Sequence, residues 1–180
     1  THHDESPFKR NALHTAIENV TAHRIDNHVC AVPAGDVLHR NDKSAVAIIY
    51  YMIRAALPHL QSSGSGTIVN FASYGAYRPG FGLSIYGATK AGVIAMAKSL
   101  INDIGPRVRI NTICPGVIQT PMNQPRIDSG HLGRDRMEAI NQLGRYGQAE
   151  EVAEAALFLT GPESSFMSNA VLEVSGGQLN

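Results

Sequence analysis

The sequence of 180 residues has no tryptophan, only two cysteines and no excess of charge of either sign. Cys30 and Cys114 lie far apart, which fits neither a disulfide framework nor a C-x-x-C metal site. The 15 Lys and Arg residues balance 15 Asp and Glu residues without a basic run, so the electrostatic footprint of a nucleic-acid-binding protein is missing. These features predict a single globular domain in the cytoplasm.

Long hydrophobic runs are also missing. The longest, at 45–53, stops at Arg54 and is far shorter than the roughly 18 residues of a membrane span. Residues 1–11 contain no apolar stretch and do not form a signal peptide. Seven of the eight histidines precede residue 60, but no H-x-x-x-H pattern or His/Cys cluster occurs. We therefore expect no membrane partner, no nucleic acid and no metal.

From residue 67 onward, predicted strands alternate with predicted helices. Runs of β-branched or apolar residues predict strands at 67–71, 108–114 and 170–174. Apolar residues at helical spacing predict helices at 85–104 and 150–160, each ended by a Gly-Pro pair. The alternation indicates an α/β domain with a parallel sheet.

The N-terminal part gives weaker signals. A helix predicted at 44–61 is apolar almost all round, which is typical of a helix buried in a core or between subunits. Before it come a predicted helix around 12–22 and a segment of small residues at 29–35.

Tyr86 and Lys90 lie four residues apart on the predicted 85–104 helix, so both project from one face. An ammonium about 4 Å from a phenolate stabilises it by around 4 kcal/mol at an effective dielectric of about 20, or roughly three pKa units. Lys90 is therefore expected to bring Tyr86 towards the range in which acid–base catalysis is efficient. Alone, such a pair is more typical of a surface contact.

Other residues are expected to lie near this pair, at the carboxyl ends of the predicted strands. Ser73 follows the strand at 67–71, and a turn follows the next strand after Cys114. Ligands of open parallel sheets bind beyond the carboxyl ends of the strands, so these residues are expected to converge on one crevice. Since a nucleophilic thiol needs a nearby base, we expect Cys114 to be a buried structural cysteine. Asn111, within its strand, is expected to anchor backbone.

A series of short motifs makes the sequence resemble the short-chain dehydrogenase/reductase family. The motifs include G-T-I-V-N-F-A-S at 66–73, Y-G-A-T-K-A-G at 86–92 and V-R-I-N-T-I-C-P-G at 108–116. The others lie at 55–60, 120–122, 143–147, 150–153 and 174–177. The resemblance covers about residues 54–180 and implies a Rossmann-like doubly wound parallel sheet that is truncated at its N-terminus.

The resemblance also implies roles for individual residues. Tyr86 would exchange a proton with the substrate oxygen, Ser73 would hydrogen-bond that oxygen, and Lys90 would bind the nicotinamide ribose. The residues implied in binding NAD or NADP are Lys90, Pro115, Gly116, Ile118 and Thr120. Of these, Ile118 and Thr120 would hold the nicotinamide carboxamide.

Several landmarks of the family are altered. The Gly-rich turn T-G-x-x-x-G-x-G, which binds the pyrophosphate, is not found in the sequence, and this counts against cofactor binding. The segment at 29–35 lacks the asparagines of the family's N-N-A-G. The position of the asparagine in the family's proton relay falls on Ala45, or on Asn41 if the alignment slips. Ser175 stands where Asp is common.

We interpret residues 1–180 as one domain, with a divergent segment at 1–43, a catalytic part at 44–180 and a substrate lid at 121–145. The charged residues at 134–138 are expected to form a solvated face of the lid. The helices at 44–61 and 86–104 match those that commonly form the family's subunit interface, so we expect a homodimer or homotetramer. Truncation would also leave the fourth family strand with an open edge, and we expect either another chain or a rearranged N-terminal segment to cover it.

Three functions stay open on the sequence alone. The first is an NAD(P)-dependent oxidoreductase that uses Ser73, Tyr86 and Lys90 on a carbonyl or secondary alcohol of a small molecule. The second is a cofactor-independent isomerase, dehydratase or cyclase that uses Tyr86 and Ser73. The third is a non-catalytic oligomerisation partner. The intact Ser-Tyr-Lys set argues against the third, and the missing pyrophosphate turn argues against the first as an autonomous enzyme.

Overall fold

A computed structural model describes residues 28–30 and 42–178, with side chains from Ala45 onward except that of Arg134. The first half contains β1 (His28–Cys30), α1 (Asp42–Ser63), β2 (Gly66–Phe71), a 3-10 turn (Tyr74–Ala76), α2 (Ser84–Ile104) and β3 (Val108–Pro115). The second half contains β4 (Ile118–Gln119), α3 (Gln124–Asp128), α4 (Arg134–Ile140), β5 (Gly147–Gln148), α5 (Ala149–Thr160), a second 3-10 turn (Pro162–Ser164) and β6 (Val171–Val174).

The main sheet has the strand order β1-β2-β3-β6, and all its neighbouring strands are parallel. Short strands β4 and β5 form a separate parallel pair. In the described part of the chain, β1 is an edge strand that pairs with β2. The predicted α/β class with a parallel sheet is therefore confirmed.

Helices cover both faces of this sheet, as in a doubly wound fold. On one face, Ile68 of β2 and Ile110 of β3 pack with buried residues of α1 and α2 such as Ile53 and Val93. On the other face, a second cluster joins β2 and β3 to α5; it consists of Val69, Ile113, Ala156 and Leu159. Side chains of neighbouring strand residues thus alternate between two cores, as the pleat of a β-strand requires.

The predicted elements in the described part are all present, with ends that differ by one or two residues. The largest difference is at the helix predicted at 44–61, which runs from Asp42 to Ser63 and contains Pro58. It is also less buried than its composition indicated, since Ile48 and Tyr51 are exposed. The predicted helix at 12–22 and most of the segment at 29–35 lie outside the described residues.

Helix α1 has 22 residues. Neither α1 nor any other helix within the described ranges combines the length and the apolar character that crossing a membrane requires. The cytoplasmic location stays a prediction.

Buried polar side chains join β3 to the loop before β6. Asn111 is wholly buried; its amide nitrogen donates to the Met167 carbonyl at 2.9 Å, and its amide oxygen accepts the Ala170 N–H at 3.0 Å. Arg109 donates to the same Met167 carbonyl and to the Gly161 carbonyl. The predicted anchoring role of Asn111 is therefore confirmed.

We expect Asn111→Ala to lower the free energy of unfolding by about 2–4 kcal/mol, because it removes two hydrogen bonds and leaves backbone groups without their partners. Urea denaturation followed by circular dichroism measures the change. Asn102→Ala is the matched control, since the Asn102 amide makes an exposed bond to the Ser99 carbonyl within α2. Equal losses in the two variants would contradict the anchoring role.

Candidate active site

Ser73 lies at the carboxyl edge of the sheet, directly after β2. The Ala72 amide still donates to the Ile113 carbonyl of β3 at 2.8 Å, so the chain stays paired up to this point. Ser73 has an extended backbone and caps the 3-10 turn that follows; its Oγ accepts the Gly75 N–H at 3.1 Å. Because Oγ accepts this bond, its own O–H is available to donate to a ligand.

Gly75 brings Ser73 and Tyr86 together. A Cβ at this glycine would lie 3.1 Å from Cε1 of Tyr86 and 3.4 Å from Oγ of Ser73. The next residue of α2, Gly87, allows a second close approach: a Cβ there would lie 2.7 Å from Cβ of Pro79 and 2.8 Å from the Gly75 carbonyl oxygen. The loop after Ser73 therefore packs directly on the first turns of α2.

Lys90 reaches from α2 towards the end of β2. Its side chain is 3% exposed, and Nζ donates to the Phe71 carbonyl at 3.1 Å. The same nitrogen lies 5.9 Å from the centre of the Tyr86 ring. Burial lowers the pKa of Lys90 from 10.5 to about 8, although the nearby Cys114 acts to raise this pKa. The structure thus brings Ser73, Tyr86 and Lys90 together. That Lys90 promotes acid–base catalysis by Tyr86 stays a prediction.

Cys114, near the end of β3, is wholly buried, as predicted. Burial raises the pKa of the Cys114 thiol. Hydrogen bonding with Tyr77 and with the Ser73 backbone lowers this pKa. Two weaker influences are Glu173, which raises the pKa, and Lys90, which lowers it. The pKa of Tyr77 is raised to about 12, mainly by burial of its hydroxyl and to a lesser extent by the nearby Cys114. Tyr77, which lies between Ser73 and Tyr86 in the chain, was not among the predicted site residues.

Pro115 and Gly116, which the resemblance implies in cofactor binding, lie at the end of β3 and directly after it, at the same edge of the sheet. The Gly116 amide donates to the Val174 carbonyl at 2.9 Å, and a Cβ at Gly116 would lie only 2.8 Å from Cα of Ser175. Glycine is therefore required at 116, since the turn after β6 packs against it. That turn continues through Gly176, whose φ of +70° also favours glycine.

The predicted carboxamide-binding residues, Ile118 and Thr120, lie on β4 and just beyond it. The Ile118 carbonyl accepts the side-chain amide of Asn123 at 2.8 Å, so this oxygen already has a partner. The Thr120 hydroxyl oxygen accepts the Asn123 backbone N–H at 3.4 Å and keeps its own O–H as a donor. Of these two residues, Thr120 is therefore the one whose hydroxyl can still donate a hydrogen bond to a ligand.

The region predicted as a lid, 121–145, contains the short helices α3 and α4. Its far end is fixed to α5, because Arg145 binds both carboxylate oxygens of Glu151 at 2.7 and 2.8 Å. This pair holds the pKa of Glu151 at about 2. Asp135, Arg136 and Glu138 are exposed, as predicted for a solvated face. Movement of this region as a lid stays a prediction.

Ala45 packs against Tyr86. The resemblance placed the relay asparagine at this position, and the structure puts an apolar methyl group there, in contact with the tyrosine. The other position considered, Asn41, lies outside the described residues.

Comparison with known proteins identifies the family. The family model described as enoyl-(acyl carrier protein) reductase matches residues 8–178, well beyond the range 54–180 that the motifs indicated. A 2-(R)-hydroxypropyl-CoM dehydrogenase of Xanthobacter autotrophicus is 38% identical over 71% of this chain and 51% of its own length. A 4-formylbenzenesulfonate dehydrogenase of Comamonas testosteroni is 32% identical over 92% of this chain and 67% of its own.

Solved structures show the same fold. A 7α-hydroxysteroid dehydrogenase complexed with NADH and 7-oxo glycochenodeoxycholic acid superimposes with a TM-score of 0.70 at 26% identity. The match covers 77% of this chain and 56% of the dehydrogenase. The chain thus spans about half to two thirds of the length of these proteins. It belongs to the short-chain dehydrogenase/reductase family.

Proposed function

We propose that this chain carries the catalytic part of an NAD(P)-dependent oxidoreductase, which interconverts a carbonyl and a secondary alcohol in a small molecule. The observation that carries the proposal is the contact of Gly75 with both Ser73 and Tyr86, next to the buried ammonium of Lys90. Two related proteins named as dehydrogenases support the reaction class.

In this proposal the Ser73 O–H donates to the substrate oxygen, and the Tyr86 hydroxyl passes a proton to it or takes one from it. A hydroxyl donor that is held in place before the reaction stabilises the charge that develops on the oxygen. The bound nicotinamide would supply or accept the hydride.

The donors at the site fit the ribose end of such a cofactor. An ammonium has three N–H donors, and the one bond described for Lys90, to the Phe71 carbonyl, leaves donors for ribose hydroxyls. Thr120 keeps its O–H. Beside Gly116, the side-chain oxygen of Gln178 is a buried acceptor without a partner in the described part of the chain. We propose that these three groups hold the nicotinamide half.

We expect Tyr86→Phe to lower kcat at least about 10²-fold, because it removes the proton-transferring hydroxyl, while NAD(P)H binding is unchanged. Nicotinamide fluorescence measures both quantities, with a panel of aldehydes, ketones and 3-oxoacyl thioesters as substrates. Tyr51→Phe, on the exposed part of α1, is the matched control. The proposal is wrong if the parent chain neither binds NAD(P)H nor turns over any of the panel, or if Tyr86→Phe keeps the parent rate.

The buried Lys90 predicts an unusual pH dependence of stability. Its pKa is about 8 in the folded chain and 10.5 without burial, so the unfolded chain binds more protons between these pH values. The free energy of unfolding of the parent should therefore rise from pH 8 to pH 10.5, by roughly 3 kcal/mol. Lys90→Met should be more stable than the parent at pH 7 and lack this rise.

Chemical denaturation across this pH range measures the effect. Lys98→Met is the matched control, because Lys98 lies exposed on the same helix; this variant should keep the rise of the parent. The same pH dependence in Lys90→Met and the parent would show that Lys90 bears no desolvation cost.

We also propose that the chain forms a homodimer or homotetramer through α1 and α2. Ile48 and Tyr51 of α1 are 44% and 68% exposed, and Ile85 at the start of α2 is 62% exposed. Large apolar side chains exposed together on one helix are typical of an interaction surface.

We expect a combined Ile48→Glu and Tyr51→Glu variant to have a smaller mass than the parent in light scattering, because the charges would be buried at the interface. Leu143→Glu, at an exposed apolar residue outside both helices, should keep the mass of the parent. A monomeric parent chain would overturn this proposal.

A further inference from the structure

Asn141 is a buried polar residue that the proposed chemistry does not use. It directly follows α4 and is 2% exposed. Its amide nitrogen donates to the Arg145 carbonyl at 3.1 Å, and its amide oxygen accepts the Arg145 N–H at 3.4 Å. The Gly144 N–H adds a bond to the Asn141 carbonyl at 3.1 Å. One side chain therefore closes residues 141–145 into a hydrogen-bonded loop, the lid-end loop, at the far end of the region predicted as a lid.

The lid-end loop is bonded to the turn after β6. The Gln142 N–H donates to the Gly177 carbonyl at 2.8 Å, and the Leu143 N–H donates to the Gly176 carbonyl at 3.1 Å. A Cβ at Gly176 would lie only 3.1 Å from Oδ1 of Asn141, so this side chain also packs directly on the turn. Asn141 thus shapes a loop whose backbone N–H groups hold the turn after β6.

The same turn contributes to the proposed nicotinamide site. A Cβ at Gly116 would lie 2.8 Å from Cα of Ser175 and 3.1 Å from Oε1 of Gln178. This Gln178 oxygen is buried without a partner among the residues that the structure describes, so it can accept an N–H of a ligand. Gln178 also pairs with Asn141 in an isolated antiparallel bridge. The turn after β6 therefore contacts both the lid-end loop and Gly116.

We propose that Asn141 is a positioning residue for the nicotinamide site. By closing the lid-end loop, it holds the turn after β6, and with it the Gln178 oxygen, against Gly116. The consequence for cofactor binding rests on the proposed function, whereas the connection from Asn141 to Gly116 does not. In this role Asn141 itself touches no ligand.

The amide of Asn141 suits this role because its two bonds to Arg145 need one donor and one acceptor, which an amide supplies together. The turn that it holds has little else to fix it, since Gly176 and Gly177 have φ values of +70° and +68° and no side chains. The ion pair of Arg145 with Glu151 joins the lid-end loop to α5 and not to this turn. Groups that touch a ligand are held best when further hydrogen bonds support them.

Asn141→Ala tests the effect on the site. We expect the Kd for NADH or NADPH to rise about tenfold, because a displaced Gln178 loses about one hydrogen bond to the nicotinamide. The KM for the cofactor should rise equally, whereas kcat at saturating cofactor should stay within about threefold of the parent value, because Tyr86 keeps its hydroxyl. Nicotinamide fluorescence measures these quantities. An unchanged Kd in Asn141→Ala overturns the proposal.

Asn111→Ala is the matched control, since Asn111 is also buried and its amide also makes two hydrogen bonds, to a different loop. This variant should lose stability and keep the cofactor Kd of the parent. A Gln178→Ala variant should match Asn141→Ala, and the double variant should be no weaker than either, because both substitutions act through one oxygen. A Kd for the double variant that rises by the product of the two single effects, about a hundredfold, overturns the proposal.

Amide hydrogen exchange, measured by NMR on the full chain, tests the connection without a cofactor. In Asn141→Ala the Gln142 and Leu143 amides should exchange at least about tenfold faster than in the parent, because the lid-end loop opens locally. The Gly116 amide, which donates to the end of β6, should also exchange faster. The Ala72 amide within the sheet should keep its rate.

Two outcomes separate this proposal from the proposed function. Unchanged exchange of the Gly116 amide in Asn141→Ala overturns the connection, even if the chain proves active. Faster exchange of the Gln142, Leu143 and Gly116 amides in a chain that binds neither NADH nor NADPH supports the connection and counts only against the proposed function.

Discussion

The parallel pairing of β2 with β3 determines the geometry of the candidate site. Phe71 lies opposite Ile113, and the Ala72 amide extends the ladder by one more bond to β3. Both strands therefore end at the same level, and the turns that follow them meet at one edge of the sheet. The pairing of β3 with β6 continues the same arrangement, so that the turn at Ser175 packs on Gly116.

Close backbone approaches then set the distances between side chains. Where a side chain would collide, the sequence has glycine: Gly75 against the Tyr86 ring, and Gly87 against Pro79. The loop after Ser73 can therefore pack closely on the first turns of α2. The Ser73 hydroxyl and the Tyr86 ring, which belong to different elements, thus both lie next to Gly75.

Burial of Lys90 opposes stability and favours the proposed chemistry. An ammonium removed from water loses hydration, and its described partner is the backbone carbonyl of Phe71. The lowered pKa of Lys90 reflects this cost. A group kept in such surroundings retains donors for a ligand, and functional sites are where proteins commonly depart from the most stable arrangement.

The sequence by itself determined the α/β class, the bounds of the main strands and helices from residue 42 onward within one or two residues, and Ser73, Tyr86 and Lys90 as the candidate site. These features follow from local patterns: apolar spacing, Gly-Pro helix ends and short motifs. Only the tertiary structure decided the exposure of Tyr51, the contact of Ala45 with Tyr86, and the bond from Lys90 to the Phe71 carbonyl. Each of these features depends on how parts of the chain that are far apart in sequence pack together. Strand register and helix packing decide this, and no local pattern specifies them.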